Sequence, residues 1–466
     1  MTNLFRPAID LVADLQARRL SARALMQETL DRIAQVNGKV NALVALRSEA
    51  ALMAEAAARD EGTIKGPLHG LPIAVKDLVN TRGITSTQGS PILADFVPQQ
   101  DDLLAARLRA AGAILIGKTN VPEFGLGSHT FNPVYGTTLN PYDASCTCGG
   151  SSGGAAVALA TGMTALADGS DMMGSLRNPA AWNNVYGFRP SWGRVPSEPA
   201  GDLYLHQLST LGPMARSPAD MALLLDVLAG PDPRSPLTAS APPAHPLAPL
   251  DLRRIRIGWL GDWGGAFPYD AGIAEQCLSG LEVFRTLGCQ VEEVAPPFPA
   301  DKIWDAWTTL RSFAVASGLR ALRSKRDQLK DTAQWELDRG LSYSAMDIQN
   351  ASESRSDWFR AAARLFDRYD ALVLPAAQVW PFPVELDWPK SIAGVEMDTY
   401  HRWMQVVTPV SLLGLPCLSI PVGFGQAGLP MGAQLFGRLG NDANLLSLAQ
   451  AYHQETQWPT KRPPPL

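Results

Sequence analysis

The chain has 466 residues, of which 46% are hydrophobic and 18% are charged, and its formal net charge at pH 7 is −5. This composition is typical of a globular protein with a large core and excludes a disordered chain. The sequence has no lysine and arginine cluster suited to a nucleic-acid backbone and no apolar run of about 18 residues, so we expect neither a nucleic-acid nor a membrane partner. Asp10 and Asp14 lie where a signal peptide needs an apolar stretch, which indicates a cytoplasmic protein.

Apolar runs of strand length alternate with helix-like segments along the chain. This pattern predicts an α/β protein in which helices cover both faces of a mixed or parallel sheet. The predicted strands are 71–75, 113–118, 164–168, 255–260, 289–294, 371–376, 418–423 and 431–436. The predicted helices are 21–37, 102–111 and much of 301–340.

The segment 230–249 is rich in proline, alanine and serine, which is typical of a long surface connection. Because strands of the same kind follow it, we expect one domain over 1–466, with an excursion at about 230–250. A variable helical region is expected at about 300–365. The five cysteines are odd in number and lack paired C-x-x-C spacings, which favours free thiols.

No lysine or arginine occurs between Lys118 and Arg177, a gap of 58 residues in a chain that has 40 basic residues. We therefore expect this segment to be buried. It contains the stretch CGGSSGG (148–154), in which Ser151 and Ser152 lie between two pairs of glycines. A glycine-rich turn in the core would explain the glycines, but it would leave two buried hydroxyls to be satisfied without benefit.

Phosphate binding or a chemical reaction would also account for this stretch. A Walker loop needs a lysine after its last glycine, and a dinucleotide site needs G-x-G-x-x-G between a strand and a helix; neither pattern is present. A reaction is favoured because Lys76 directly follows the predicted strand 71–75, where desolvation lowers the pKa of a lysine towards that of a general base. Ser175 follows a strand and a turn whose N–H groups are suited to an oxyanion hole. The six histidines are scattered, with no G-x-S-x-G arrangement, so lysine is the better candidate base.

The segments 149–196 and 66–77 resemble the serine- and glycine-rich signature and the lysine segment of the amidase signature family. The segments 112–125 and 412–454 are also similar to that family. The resemblance therefore extends over nearly the whole chain and is weakest over 230–350. It implies the fold of the family, with a large mixed β-sheet covered by helices, and it implies neither a cofactor nor a metal.

The resemblance also implies a catalytic triad of one lysine and two serines. On that pattern Ser175 attacks the carbonyl carbon, Ser151 relays the proton in a cis peptide geometry, and Lys76 is the base. The implied donors of the oxyanion hole are the N–H groups of Met172, Met173, Gly174 and Ser175. The implied supporting residues are Ser152, Asp171 and Arg177.

The chain departs from the family pattern at two places. The family usually has G-G-S at the nucleophile, where this chain has Met173, Gly174 and Ser175. We expect Met173 to keep its N–H donor and to narrow the cavity with its flexible thioether. Cys146 and Cys148 stand where the family often has an arginine and a proline, which disfavours an anionic substrate.

These features predict an amidase that hydrolyses a linear, non-peptide amide through a seryl acyl-enzyme, with esters and carbamates as related substrates. The predicted partner is thus a small molecule, and the enzyme is expected to be a monomer or homodimer. Two alternatives remain open. One is the amidase subunit of a tRNA-dependent amidotransferase, which delivers ammonia to a second polypeptide, and the other is a non-catalytic scaffold relative.

Overall fold

The computed structural model describes residues 3–466. The strands in this range are β1 (Leu43–Val44), β2 (Pro72–Lys76), β3 (Ile114–Thr119), β4 (Phe131–Asn132), β5 (Gly136–Thr137), β6 (Leu166–Asp171), β7 (Tyr186–Arg189), β8 (Thr210–Ala215), β9 (Arg256–Trp259), β10 (Gln290–Glu293), β11 (Ala371–Pro375), β12 (Ser391–Ile392), β13 (Val395–Glu396), β14 (Cys417–Phe424) and β15 (Pro430–Gly437). The α-helices are α1 (Ala8–Gln16), α2 (Ala22–Val40), α3 (Glu49–Glu61), α4 (Leu103–Ala110), α5 (Gly153–Ala160), α6 (Arg177–Trp182), α7 (Pro218–Leu228), α8 (Ile273–Thr286), α9 (Ala300–Leu319), α10 (Asp331–Ser342), α11 (Ala345–Leu365), α12 (Thr408–Leu413), α13 (Asp442–Thr456) and α14 (Trp458–Lys461).

Eight strands form the central sheet in the order β10-β9-β11-β15-β14-β7-β8-β6. The pairs β10–β9 and β9–β11 are parallel, and the other five pairs are antiparallel. A smaller sheet has the order β1-β3-β2, in which β2 and β3 are parallel. Strand β2 packs beside β6, and this brings Lys76, the last residue of β2, next to the edge strand of the central sheet.

Helices flank the central sheet. Helices α6, α8 and α13 pack against β14 and β15, and α5 packs against β6 and β8. Strands β14 and β15 are buried along nearly their whole length, which explains why their sequences read as continuous apolar runs without alternation. The structure confirms the predicted α/β class, with a mixed sheet at the centre.

Strands β6, β7 and β8 show where the sequence-based prediction of elements is wrong. The predicted strand 164–168 begins two residues early and ends three residues early, because β6 pairs with β8 from Leu166 as far as Asp171. Strands β7 and β8 were not predicted from their sequences, YGFR and TLGPMA, which are short and interrupted by glycine, proline and arginine. Tertiary pairing outweighs local strand propensity in all three.

The region between Leu228 and Leu252 forms no helix or strand. Strands β6 to β8 precede it and β9 to β11 follow it, and all six belong to the same central sheet. All five cysteines are buried in the structure. They are free thiols rather than disulfides, as predicted. None of the helices within residues 3–466 combines the length and the apolar composition needed to cross a membrane.

Candidate active site

Lys76 is fully buried at the end of β2, and its ammonium nitrogen lies among hydroxyl oxygens. Its Nζ is 2.9 Å from Oγ of Ser151, 2.8 Å from Oγ of Ser152 and 3.0 Å from Oγ of Ser170. The carbonyl oxygen of Ser170 is 3.3 Å away. The structure therefore brings the predicted lysine and both predicted serines of the GGSSGG stretch into direct contact, and it adds Ser170, which the sequence analysis missed.

Burial lowers the pKa of Lys76 to about 7, although the carboxylates of Asp168 and Asp171 act in the opposite direction. The direction agrees with the sequence-based expectation. Asp168 lies behind the lysine, where its Oδ1 accepts the backbone N–H of Lys76 at 3.0 Å. Burial raises the pKa of Asp168 to about 6, while the N–H of Lys76 and the charges of Lys118 and Lys76 lower it. Lys76 can thus exchange a proton near neutral pH.

The serine loop joins Gly150 to the start of α5. The Gly150–Ser151 peptide bond is cis, the geometry that the resemblance implies at this serine. Gly153 is the first residue of α5, and its surroundings leave no room for a side chain, because an added Cβ would lie 2.2 Å from Oγ1 of Thr130. This close approach explains why glycines surround the two serines.

Ser175 lies in the tight loop between β6 and α6, and it lines the same cavity as Ser151. Gly174 before it has a φ of +82°, a value that L residues with side chains rarely adopt. Gly187 on β7 lets the loop approach the sheet, since an added Cβ would lie 2.1 Å from the carbonyl oxygen of Leu176. Within residues 3–466 no hydrogen bond joins Oγ of Ser151 to Oγ of Ser175.

The backbone N–H groups of the loop differ in their availability. The N–H of Gly174 donates to Oδ1 of Asp171 at 2.9 Å, so this member of the expected oxyanion hole is already engaged. For the N–H groups of Met172, Met173 and Ser175, the described part of the chain supplies no acceptor. Of the four expected donors, Gly174 is thus engaged with Asp171, while Met172, Met173 and Ser175 keep their N–H groups unengaged in the described chain.

Asp171 and Arg177 form a fully buried ion pair beneath the loop. The guanidinium donates Nε to Oδ2 at 3.0 Å and Nη2 to Oδ1 at 2.9 Å, and the same carboxylate accepts the N–H of Leu176. Burial alone raises the pKa of Asp171, but Arg177 outweighs burial and holds this pKa below its ordinary value. A charged Asp171 fixes the loop by four hydrogen bonds.

A cavity of about 380 Å³ opens above the two serines. Its lining is mostly apolar and includes Met172 and Met173, and Met173 is 3% exposed with a φ outside the positive region. Arg311 on α9 also lines the cavity, and the sequence analysis missed it. A long amphipathic helix far along the chain gives no signal for such a position.

No group of three or more metal-ligating side chains is present between residues 3 and 466.

Comparisons with known proteins identify the class of this fold. The family model named Amidase matches residues 24–446. The structure of a bacterial aryl acylamidase of the amidase signature family superposes with a TM-score of 0.91 at 29% identity, covering 98% of this chain and 99% of that chain. The architecture of this chain is therefore that of the amidase signature enzymes, which cleave C–N bonds.

Two curated relatives match along nearly their whole length. An acylamidase of Rhodococcus erythropolis is 32% identical over 98% of this chain and 96% of its own. A glutamyl-tRNA(Gln) amidotransferase subunit from Chloroflexus aggregans is 34% identical over 96% of both chains. The chain belongs to the Amidase family, and it is an amidase, a hydrolase of C–N bonds other than peptide bonds.

Proposed function

We propose that the chain hydrolyses small, linear, non-peptide amides through a seryl acyl-enzyme, with Ser175 as the nucleophile. The observation that carries this proposal is the contact of 2.9 Å between Nζ of Lys76 and Oγ of Ser151 in the wall of the cavity that Ser175 lines. A lysine with a pKa of about 7 can accept a proton that a lysine of ordinary pKa cannot accept at neutral pH.

In the first half of the reaction, Oγ of Ser175 attacks the carbonyl carbon of the amide. Its proton passes to Oγ of Ser151, whose own proton passes to Nζ of Lys76. The N–H groups of Met172, Met173 and Ser175 stabilise the oxyanion of the tetrahedral intermediate. We expect the hydrogen bond between the two serines to form in the substrate complex, because catalytic hydrogen bonds often tighten only there.

The intermediate then collapses, and the C–N bond breaks as the amine nitrogen takes the proton back from Lys76 through Ser151. The acyl group remains on Ser175 as an ester. In the second half, a water molecule gives its proton to the same relay and attacks this ester. The products are a carboxylic acid and an amine, and the three side chains return to their starting protonation states.

The cavity supports a small, largely apolar substrate. Its volume of about 380 Å³ holds a compact acyl or aryl group, and its apolar lining favours a hydrophobic one. Esters and carbamates present the same carbonyl to Ser175, so we include them as related substrates. We propose that the enzyme acts as a monomer or homodimer without a second type of polypeptide, and its cytoplasmic location stays a prediction.

Turnover of a simple anilide by the purified chain alone tests this function. We expect release of 4-nitroaniline from 4-nitroacetanilide, followed by absorbance, with no added protein, metal or cofactor. The relatedness to an amidotransferase subunit makes glutamine the comparison substrate. If the chain hydrolysed glutamine but no anilide, and did so only after a partner protein was added, the amidotransferase alternative would be favoured. No hydrolysis of any amide or ester would favour the scaffold alternative.

Met173 offers a test of the acyl-binding cavity. Met173→Gly should change the preference between large and small acyl groups by about tenfold, because the side chain lines the cavity while its N–H remains. The measurement is kcat/KM for acetyl, butyryl and benzoyl anilides. Met346→Gly, at a methionine that is 62% exposed, serves as the matched control and should keep the wild-type preference. An equal loss for all acyl groups would show that Met173 sets the geometry of the oxyanion donors instead.

A further inference from the structure

The cavity above Ser175 contains one charged side chain among the described residues that line it, and this side chain is Arg311. Arg311 lies on the face of α9 that also carries Val315 and Leu319, which line the same cavity. The spacing of four residues continues an apolar stripe in which a guanidinium is costly to bury unless it is paired. An arginine at this position therefore needs a structural or functional reason.

Part of the reason is a buried network behind the cavity wall. Nε of Arg311 donates to Oε1 of Glu336 at 2.7 Å, and Nη2 donates to the hydroxyl of Tyr400 at 2.8 Å. Tyr400 in turn donates to Oε1 of Glu336, and Ser312 donates to its Oε2. Burial alone lowers the pKa of Arg311, but Tyr400 and Glu336 raise it above its ordinary value, so the side chain is charged. The network neutralises this charge and fixes the plane of the guanidinium.

The remaining end of the guanidinium has no strong acceptor. Among residues 3–466, the one hydrogen-bond acceptor of Nη1 is the thioether sulfur of Met172, at 3.4 Å. A thioether is a weak acceptor, and Arg311 has five N–H donors in a fixed fork. Met172 belongs to the loop that carries Ser175. The side chain of Met172 therefore separates the Nη1 end of Arg311 from the proposed oxyanion donors.

We propose that Arg311 determines specificity at the amidase site by donating a hydrogen bond from Nη1 to a neutral oxygen or nitrogen acceptor on an otherwise apolar substrate. This inference rests on the proposed function and names its substrate class. The acceptor is neutral because Glu336 already balances the charge of Arg311, and a substrate carboxylate would add an unpaired negative charge in an apolar cavity. Ether, carbonyl and nitro groups are acceptors of this kind.

Matched substrate pairs test the inference. Methoxyacetyl and butyryl anilides differ by one oxygen in place of a methylene group, and 4-methoxyanilides and 4-ethylanilides place the same difference on the amine side. In Arg311→Met combined with Glu336→Gln, which removes the buried pair together, the ratio of kcat/KM within at least one pair should fall by about tenfold, mainly through KM. The double variant Arg360→Met, Asp357→Asn removes an exposed pair on α11 and should keep the wild-type ratios.

Two further measurements do not depend on whether the Arg311→Met, Glu336→Gln variant folds. Arg311→Lys retains the charge beside Glu336 but loses the fork, so the same ratio should fall in it. The dissociation constants of the Ser175→Ala protein for the same pairs should show the same preference, and this binding requires no turnover, so it separates a failure of the inference from a failure of the proposed hydrolysis. The assignment would be overturned if the Arg311 variants kept the wild-type ratios of kcat/KM and the Ser175→Ala protein bound both members of each pair equally. A preference for succinyl over methoxyacetyl anilides would also overturn it.

Discussion

Ser175→Ala should lower kcat for amide hydrolysis by roughly 10⁴- to 10⁶-fold, because no other oxygen replaces the nucleophile of a serine relay. The substitution removes one hydroxyl from a buried residue and leaves the Asp171–Arg177 pair beneath the loop in place, so the protein should still fold. The measurement is the release of 4-nitroaniline from the anilide substrate. Circular dichroism and the melting temperature establish that the variant remains folded.

Covalent labelling identifies the nucleophile independently of any substrate. A fluorophosphonate should modify the wild-type protein at one serine, and peptide mapping should place the label on Ser175. Ser209→Ala is the matched control, since Ser209 is another hydroxyl that lines the cavity, and its labelling should equal that of the wild type. A label on another serine, together with an active Ser175→Ala enzyme, would refute the assignment of the nucleophile.

Local sequence could predict the fold where burial leaves a strong pattern. Strands β14 and β15 are covered on both sides and read as apolar runs, so both were predicted within one residue at each end. Strands β7 and β8 are held by pairing with distant strands, and their sequences contain glycine, proline and arginine. The end of β6 is polar because it approaches the lysine and the nucleophile loop. Strand propensity fails at this edge of the sheet because polar residues of the candidate site replace apolar ones there.

The candidate site divides in the same way. Lys76, Ser151 and Ser175 could be selected because each stands in an unusual local setting: a lysine that ends an apolar strand, or serines within glycine-rich turns. Ser170 and Arg311 have ordinary sequence surroundings, and only the folded chain brings them to the lysine and the cavity. The engagement of the Gly174 N–H depends on a side chain three residues away turning back into the loop, which no spacing rule predicts.

Lys76→Ala should remove most of the activity, and the pH dependence of the wild-type enzyme should show why. The value of kcat/KM should rise with pH along one limb with a midpoint near 7, because Lys76 accepts a proton only after losing its own. Lys76→Arg should be nearly as inactive as Lys76→Ala, since a guanidinium stays protonated at any pH that the protein tolerates. An active Lys76→Arg enzyme with the same limb would identify another group as the base.

Asp168→Asn tests whether that limb belongs to Lys76. The carboxylate of Asp168 favours the charged form of the lysine, and an amide of the same shape does not. The amide oxygen can still accept the backbone N–H of Lys76, the bond of 3.0 Å that holds the end of β2. The limb should therefore move to lower pH in Asp168→Asn, with the plateau rate retained to within about tenfold. Asp367→Asn, at an exposed carboxylate beyond α11, is the matched control and should leave the midpoint unchanged. If the midpoint moves upward or stays in place in Asp168→Asn, the proton that limits the reaction is not on Lys76.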